Sequence, residues 1–513
     1  MMQAKVTIEP DALHSLPRTQ YGHFIEHLGM CIKGGIWAEG ESEDMFLGGV
    51  RPKLVDAMKS ISPSLIRYPG GCFADGYHWQ DGIGPRSERP ARKNRAWAKM
   101  GSRIGPKEDN HFGTDEFLQL CEEVGAEPQL TANVGSGTVE EAVAWVEYCN
   151  GPADYGWGKR RAKNGHPAPY NVKYWYIGNE IFGMHEIGYR KPHEYVKVFK
   201  EFARAMRKVD PGLILIASGN IFPGNLGKKI NPAVLEGIGE EMDYLSIHHY
   251  VPFVLHPRSI FWYQIASRKK SKAPSVYYDV IGSYRIMEKF VERNLRDIRT
   301  YSPPNKKIPL CFDEWNLWFY FFKDIVLCNF NLRDGLWVAT MLNMFHRYAP
   351  EMPLGNIAQM VNCLGVIQST RKGTFLTPLG LVYKMYTDHI GENLMRSTVE
   401  VPPIPHKTQL PSLDISATRS EDNVAIFMVN RHYDAEIEVD CNLKGLDADP
   451  DAKRIEMNHR NPVQYNTISD PNAVKISESS ERLSVGKEGT CSLIRLRLAP
   501  HSLTCIKFKV SSV

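Results

Sequence analysis

Apolar residues of this chain gather into eight short β-type runs before about residue 390, and helical patterns separate the runs. Most of the runs are continuous rather than alternating, which is typical of parallel strands buried on both faces. Alternating strands and helices also fit a doubly wound sheet, but the count of eight favours an α/β fold of the (β/α)8 TIM-barrel type. The runs are QYGHFIEH (20–27), LIRY (65–68), QLTANV (129–134), KYWYIGN (173–179), LILIAS (213–218), YLSIHH (244–249), IPLCFD (308–313) and NIAQMVN (356–362).

Three of the intervening segments carry detailed helix signals. Thr138 is placed to cap a helix, because the two glutamates that follow it suit a first turn. In residues 113–125, Thr114 or Asp115 can cap a helix, and Gly125 can close it in the left-handed conformation. An amphipathic stripe at helical spacing comprises Tyr195, Phe199, Phe202 and Met206.

The pattern changes after about residue 390, where no long helix signal occurs. Residues 435–441 (AEIEVDC) and 505–510 (CIKFKV) alternate apolar and polar positions, as half-buried strands do. NVAIFMVN and CSLIRLRL are further strand candidates, whereas SESSER and DADPDA are predicted to be polar loops. The pattern predicts a C-terminal antiparallel β-sandwich.

Composition and charge exclude several classes of protein. The 513 residues are 43% hydrophobic and 23% charged, which is ordinary for a globular chain. A net charge of +4 gives no case for binding nucleic acid or an anionic membrane, and no apolar run is long enough to span a bilayer. The ten scattered cysteines form no C-x-x-C pair and no secretory leader is visible, so we expect free thiols and a cytoplasmic location.

The first strand candidate contains His23-Phe-Ile-Glu26-His27, which matches the H-x-x-E-H signature of one class of zinc peptidase. That chemistry needs both histidines on one helical face. Gly22 and Gly29 bracket the motif and no helical period runs through it. In a strand, Glu26 would point away from both histidines. We therefore expect no metal here.

Polar residues follow the predicted strands at the end where barrel enzymes carry their catalytic groups. Glu180 follows the fourth run and Glu314 ends the seventh, so the two carboxylates face each other nearly across the barrel mouth. Glycoside hydrolysis needs such a pair, one to protonate the leaving oxygen and one to attack the sugar or activate water. The alternative is that both glutamates are solvated loop residues. Other polar residues at strand ends are Glu26, Arg67, Asn179, His248, His249, Tyr250, Asp313, Gln359 and Asn362.

At these residues the chain resembles glycoside hydrolase family 51, whose best-known members are α-L-arabinofuranosidases. The matching stretches run through the whole predicted barrel in the family's order, and the stretch at residues 66–90 is the most specific. The C-terminal region matches in kind but carries little motif content. The stretches are GHFIEHLG, IRYPGGCFADGYHWQDGIGPRSERP, HFGTDEFLQLCEEVGAEP, NVGSGTVEEAVAWVEY, IGNE, SIHHY and FDEWN.

The resemblance implies a barrel over residues 17–390 and a jelly-roll-like β-sandwich over 391–513, which residues 1–16 join through an N-terminal strand. It implies hydrolysis with retention through a covalent glycosyl-enzyme, with Glu180 as the acid/base and Glu314 as the nucleophile. The acid must then be protonated near neutral pH, so its pKa should be raised, whereas the nucleophile should stay ionised.

The resemblance also implies a set of residues around the sugar. Asn179 is expected to bind its 2-hydroxyl and Glu26 other hydroxyls. The implied partner is an arabinofuranosyl oligosaccharide or polysaccharide side chain, without metal or other cofactor, and family members are often homo-oligomers such as hexamers. The substrate-binding residues implied are Glu26, Arg67, Cys72, Trp97, Asn179, His248, Tyr250 and Gln359.

Three segments depart from the family pattern, namely those that follow Glu180, Tyr250 and Glu314. Such segments build the rim of a barrel mouth, where the substrate is recognised. The resemblance therefore supports the family's reaction type more strongly than it supports the identity of the sugar. An exo-acting α-L-arabinofuranosidase remains the main expectation. The alternatives are a retaining hydrolase of another sugar (a galactofuranosidase, a β-xylosidase or an endo-β-glucanase) and a non-catalytic sugar-binding protein. The stretch NVGSGTVEEA suggests a nucleotide-binding loop, but it lacks the third glycine of the G-x-G-x-x-G pattern, so we do not expect nucleotide binding there.

Overall fold

The structure is a computed structural model that describes residues 2–97, 107–222, 227–251, 272–319, 329–488 and 491–512. Its strands are, in chain order, β1 (Met2–Ser15), β2 (Gly22–Phe24), β3 (Leu65–Tyr68), β4 (Arg92–Lys93), β5 (Lys107–Glu108), β6 (Glu127–Ala132), β7 (Tyr174–Ile177), β8 (Ile214–Ser218), β9 (Tyr244–Val251), β10 (Leu310–Leu317), β11 (Leu354–Ala358), β12 (Ile367–Thr370), β13 (Gly373–Leu376), β14 (Asn393–Glu400), β15 (Leu413–Ser420), β16 (Asn423–Asn430), β17 (Ile437–Leu443), β18 (Leu446–Met457), β19 (Ile476–Arg482), β20 (Ser484–Glu488), β21 (Cys491–Leu498) and β22 (Ser502–Ser512). Its α-helices are α1 (Pro52–Ser60), α2 (Thr114–Val124), α3 (Val139–Asn150), α4 (Gly156–Lys163), α5 (Pro192–Val209), α6 (Ile230–Ile238), α7 (Pro274–Gly282), α8 (Tyr284–Tyr301), α9 (Leu332–Arg347) and α10 (Pro378–His389).

Eight strands close into a barrel in the order β10-β11-β2-β3-β6-β7-β8-β9, and every neighbouring pair is parallel. Each of the eight apolar runs contributes one of these strands, so the predicted (β/α)8 barrel is confirmed. Because all eight strands run the same way, their carboxyl ends open at one mouth, where the polar residues that follow them converge.

The predicted helix signals mostly hold in the structure. Helix α5 buries Tyr195, Phe199, Phe202 and Met206, the predicted stripe, against the barrel. Thr138 caps α3, and Gly125 ends α2 with a φ of +72°, the left-handed conformation that a residue without a β-carbon adopts freely. No helix of the described ranges is both long and apolar enough to cross a membrane.

The predicted cap of α2 is wrong. Gly113 occupies the capping position, and both predicted capping residues lie inside the first turn. The Thr114 hydroxyl instead accepts a hydrogen bond from the Trp145 indole at 3.1 Å, and Asp115 accepts one from the Tyr148 hydroxyl at 2.7 Å. The sequence could not show that helix α3 packs its aromatic residues against these two side chains.

The C-terminal residues form a ten-stranded sheet in the order β19-β18-β22-β16-β15-β14-β1-β17-β21-β20. The N-terminal strand lies within it, as predicted, antiparallel to β14 but parallel to β17. The prediction of polar loops is wrong for two segments, because DADPDA lies in strand β18 and SESSER in strand β19. Strand β19 is an edge strand with mostly exposed side chains, so it lacks the apolar alternation that marks a strand in sequence. The sheet has its own apolar core, which includes Val6, Ile8, Ile426, Val439 and Leu496.

The chain passes from one sheet system to the other at two points. Strand β1 of the C-terminal sheet ends at Ser15 and the first barrel strand begins at Gly22, while helix α10 ends at His389 and β14 begins at Asn393. On these element bounds we propose that residues 17–390 form one domain and residues 1–16 with 391–513 the other.

Candidate active site

Two carboxylates meet at the mouth of the barrel. Glu180 lies three residues beyond the end of β7, and Glu314 lies within β10, three strands further round the barrel. One carboxylate oxygen of Glu180 and one of Glu314 lie within 4.8 Å of each other, and His248 Nδ1 lies 2.9 Å from Glu180 Oε1 and 3.5 Å from Glu314 Oε1. Glu180 has a φ of +43°, a conformation that residues with side chains seldom adopt and that is often found at functional sites.

Glu314 is surrounded by donors. The Arg67 guanidinium donates to its Oε1 at 2.6 Å, and the Tyr250 hydroxyl donates to its Oε2 at 2.9 Å. Burial raises the pKa of Glu314, His248 and Arg67 oppose that rise, and the net direction is upward. Gly71 leaves room for this carboxylate, since a β-carbon there would lie 3.0 Å from Glu314 Oε1.

Arg67 ties three strands of the barrel together from a fully buried position. Besides Glu314, its guanidinium donates to Asn179 Oδ1 at 2.6 Å and to the Thr131 hydroxyl at 3.2 Å, and it forms an ion pair with Asp313 at 3.3 Å. A buried cation is tolerated when carboxylates and hydrogen bonds compensate it, as they do here. Arg67 therefore holds Glu314 and Asn179 in fixed relative positions.

Glu180 is bound by two histidines. His248 Nδ1 lies 2.9 Å from its Oε1, and His185 Nε2 lies 3.1 Å from its Oε2. Burial raises the pKa of Glu180, but the hydrogen bonds from His185 and His248 outweigh burial and hold the pKa below its usual range. The expectation that this pKa is raised is therefore wrong for this arrangement. Neither histidine could be paired with Glu180 from local sequence patterns.

His248 lies between the two catalytic candidates and a third carboxylate. Its Nε2 contacts Asp313 Oδ2 at 3.3 Å and the Ser246 hydroxyl at 3.2 Å, and that hydroxyl donates to Asp313 Oδ1. Burial lowers the pKa of His248, but the charges of Glu314 and Asp313 raise it to about 10. His248 and Glu180 therefore titrate as a coupled pair, and the two shifts favour an imidazolium hydrogen-bonded to a carboxylate.

Glu26 lies two residues beyond the end of the first barrel strand, β2, and its carboxylate accepts hydrogen bonds from four N–H groups. The backbone amides of Gly71 and Phe73 and the Trp97 indole donate to its Oε1 at 3.2, 3.0 and 2.9 Å, and Gln359 donates to its Oε2 at 3.1 Å. Burial and the nearby charge of Glu314 raise the pKa of Glu26 to about 8, although the donors oppose them. Two networks therefore hold seven of the eight predicted substrate-binding residues. One joins Glu26, Trp97 and Gln359, and the other joins Arg67, Asn179, Tyr250 and His248 through Glu314 and Asp313.

Sequence reasoning missed a cluster beside Glu180. His185 and Glu186 follow Glu180 by five and six residues, and His185 Nε2 lies 3.2 Å from Glu186 Oε1 as well as 3.1 Å from Glu180. Cys72, a predicted substrate-binding residue, lies beside Glu186, and burial raises the pKa of its thiol. The signal was the unusual segment IFGMHEIGY, which had no assigned role.

The H-x-x-E-H motif does not assemble a metal site. His23 packs its ring on Tyr383 with centroids 4.6 Å apart, and burial lowers its pKa to about 3. His27 instead pairs with Glu108 at 3.1 Å, and Glu26 turns to the Gly71 amide. His249, next to the central histidine, stacks on Phe290 away from the carboxylates.

Two groups of side chains in the described ranges are close enough together to hold a metal ion. One is Glu180 with His248 and Glu314, and the other is Cys72 with Glu180, His185 and Glu186. In the first group the oxygens of Glu314 already accept from Arg67 and Tyr250. Residues 252–271 and 320–328, which include most of two divergent segments and Cys328, lie outside the described residues.

Comparisons with known proteins show which family the chain resembles. A family described as "Alpha-L-arabinofuranosidase 1 domain" matches residues 57–253, and one described as "Alpha-L-arabinofuranosidase C-terminal domain" matches residues 313–502. An "Intracellular exo-alpha-L-arabinofuranosidase" of Bacteroides ovatus is 33% identical over 482 residues, covering 92% of this chain and 90% of that protein.

Solved structures give the same answer for the whole fold. The α-L-arabinofuranosidase of Thermotoga maritima, solved with arabinose, is 30% identical with a TM-score of 0.87 over 99% of this chain and 100% of that one. The thermostable GH51 α-L-arabinofuranosidase of Thermotoga petrophila is 30% identical with a TM-score of 0.84 over 98% and 100%. The chain therefore belongs to glycoside hydrolase family 51, the α-L-arabinofuranosidase family of retaining glycosidases that act on carbohydrates.

Proposed function

We propose that this enzyme removes terminal α-L-arabinofuranosyl residues from arabinan- and arabinoxylan-type oligosaccharides by double displacement, with Glu314 as nucleophile and Glu180 as acid/base. The observation that carries the proposal is the carboxylate separation, within 4.8 Å between the nearest oxygens. Retaining enzymes keep their two carboxyls about 5–5.5 Å apart, whereas inverting enzymes need about 6.5–9.5 Å to admit a water molecule. A retaining hydrolase of another sugar is the less favoured alternative.

In the first step Glu314 attacks the anomeric carbon while a proton passes from Glu180 to the departing oxygen. Arg67 and Tyr250 hold the attacking carboxylate in position through its two oxygens. We propose that His248 Nδ1, which lies 2.9 Å from Glu180 Oε1, supplies the proton that Glu180 delivers. In the second step Glu180 takes a proton from water, which attacks the same carbon and releases the sugar with its configuration retained.

The remaining predicted residues are proposed to hold the sugar. Asn179 is fixed by Arg67 through its carbonyl oxygen, and within the described ranges its amide nitrogen makes only a long hydrogen bond, 3.4 Å, to Glu186. That nitrogen is the group we propose for the 2-hydroxyl. Glu26 with Trp97 and Gln359 forms the adjoining wall. We propose that Cys72, His248 and Tyr250 complete the pocket.

Rates on matched p-nitrophenyl glycosides test the sugar. The panel comprises α-L-arabinofuranoside, β-D-galactofuranoside, β-D-xyloside and β-D-glucoside, with Glu314→Ala as the inactive control and Glu122→Ala, at an exposed residue of α2, as the matched neutral control. We expect the arabinofuranoside to dominate and Glu314→Ala to abolish its hydrolysis. A silent panel together with release of reducing ends from a polysaccharide would point to an endo enzyme instead.

The acid/base role needs its own test. We expect Glu180→Ala to slow substrates with poor leaving groups by about 10²–10⁴-fold and activated aryl glycosides far less, because only the former need protonation. Added azide should restore part of the rate by replacing water as the second nucleophile. Equal losses for all leaving groups would remove Glu180 from this role.

We also propose that the enzyme acts in the cytoplasm as a homo-oligomer, hexameric by family resemblance. Two observations support the location: the Bacteroides ovatus relative is named intracellular, and the nine cysteines of the described ranges are free thiols. Sedimentation equilibrium tests the assembly, and a monomeric mass would contradict it.

A further inference from the structure

Four potential metal ligands converge around Glu180. They are the Cys72 thiol, a Glu180 carboxylate oxygen, His185 Nε2 and a Glu186 carboxylate oxygen, and all four atoms lie within 4.8 Å of one another. They come from two separate stretches of chain, the turn after β3 and the segment after β7. His185 Nε2 already lies 3.1 and 3.2 Å from the two carboxylates.

A second observation points to a missing ligand at this cluster. Glu186 has a side chain that is only 1% exposed, and its Oε2 has no hydrogen-bond partner among the described residues. A buried carboxylate oxygen without a partner is costly, and native proteins seldom tolerate one without a compensating group. Arg67, a buried cation of the same site, is already occupied by Glu314, Asp313 and Asn179.

The chemistry of the donors selects the kind of ion. A thiolate and an imidazole disfavour magnesium and calcium, which prefer oxygen ligands, and favour zinc, which accepts sulfur, nitrogen and carboxylate oxygen in a tetrahedron. We propose that Cys72, Glu180, His185 and Glu186 form a zinc site whose occupancy reversibly inhibits the enzyme.

The geometry requires only a modest contraction. Zinc bonds of about 2.1 Å to nitrogen and oxygen imply a tetrahedral edge of about 3.4 Å. The two edges from His185 Nε2 to the carboxylates are close to this value, and the longest edge of the group is at most 4.8 Å. His185 has a side chain that is 57% exposed, so an ion can enter from solvent at that corner.

Inhibition follows from the ligand that the site shares with catalysis, and this consequence rests on the proposed role of Glu180. A carboxylate bound to zinc cannot carry a proton to the leaving group. Zinc should therefore reproduce the leaving-group signature of Glu180→Ala in the wild-type enzyme, with poor leaving groups slowed most. Because the ion is an inhibitor here, removing trace metal with EDTA should leave the basal rate unchanged.

Binding is measured first, without reference to activity. Purified enzyme is dialysed against Zn²⁺ and its metal content determined, and Co²⁺ is then titrated while the thiolate-to-cobalt absorption in the near ultraviolet is followed. We expect one ion per chain with a thiolate band that Cys72→Ser abolishes. Cys491→Ser, which removes a partly buried thiol of the C-terminal sheet, serves as the matched control and should keep both signals.

Inhibition is measured next on the same proteins. We expect His185→Gln and Glu186→Gln to weaken inhibition by Zn²⁺ by at least the roughly 10–100-fold that loss of a supporting metal contact costs, while His78→Gln, at an exposed histidine, changes nothing. Mg²⁺ should have no effect. Absence of a bound ion, or a thiolate band that survives Cys72→Ser, would overturn the site. If an ion binds but slows substrates with good and poor leaving groups equally, only the inhibition through Glu180 would be overturned.

Discussion

Replacing Tyr250 by phenylalanine tests the arrangement around the proposed nucleophile. The change removes one hydroxyl, which donates to Glu314 Oε2 at 2.9 Å, and keeps the ring, which packs edge-on against Trp318 with centroids 5.0 Å apart. Arg67 still donates to the other oxygen at 2.6 Å, so the carboxylate keeps one of its two anchors. The variant should therefore fold and bind substrate while its chemical step slows.

The magnitude follows from the kind of hydrogen bond that is lost. A buried hydrogen bond to a charged group contributes about 1.5–3 kcal/mol, which corresponds to about a 10- to 150-fold fall in kcat/KM. The same bond favours the ionised form of Glu314, so its loss should raise the pKa of this carboxyl further. Glu314 attacks only when ionised, and activity is lost as pH falls through its pKa. The acidic limb of the pH profile should therefore move to higher pH.

The assay is kcat/KM for p-nitrophenyl α-L-arabinofuranoside across the acidic pH range. Tyr277→Phe is the matched control, because it removes another buried tyrosine hydroxyl that has no hydrogen-bond partner among the described residues. That control should retain the wild-type rate and pH profile. A Tyr250→Phe enzyme with less than a twofold loss and an unmoved acidic limb would show that the hydroxyl neither positions nor ionises Glu314.

Three further predictions concern the pH dependence of stability, the steric room beside Glu314 and the dependence of activity on metal. His23, His249 and His346 are buried, and burial lowers their pKa values to about 3, 4 and 3, so the unfolded chain binds protons that the folded chain does not as pH falls below about 6.5. Each should reduce the free energy of unfolding by about 1.4 kcal/mol per pH unit there, and urea denaturation of His23→Phe should show a shallower decline. Gly71→Ala should keep the fold by circular dichroism yet lose about tenfold or more in kcat/KM, since its new methyl group would lie 3.0 Å from Glu314 Oε1; an unchanged rate would contradict this steric argument. Dialysis against EDTA should leave activity intact, and activity that zinc restores would reinstate a metal-dependent mechanism.

The barrel strands that were predicted correctly share one physical property, burial on both faces. Runs such as LIRY and LILIAS are apolar throughout because helices cover one face of the barrel wall and packed side chains fill the other, so each strand is visible in sequence alone. Strand β19 shows the converse. Its side chains are mostly exposed at a sheet edge, and its segment was therefore predicted as a loop.

The candidate site divides in the same way. The positions of Glu180 and Glu314 could be predicted because residues after parallel strands must meet at one barrel mouth. Their proton affinities could not be predicted, because these depend on which histidines reach the carboxylates. His185 and His248 lie 5 and 68 residues from Glu180 along the chain, yet both contact it. Together they reverse the direction expected for its pKa.

The sequence by itself determined the local and periodic features of this protein: the eight barrel strands, the amphipathic stripe of α5, the family and the two carboxylates at strand ends. These follow from side-chain burial and from short motifs. Only the tertiary structure decided how distant residues share charge, as when Arg67 joins Asn179 and Glu314 or when Cys72 meets His185 and Glu186. Electrostatic interactions depend on distances across the barrel mouth and on exclusion of water, and neither quantity is encoded in any local stretch of the chain.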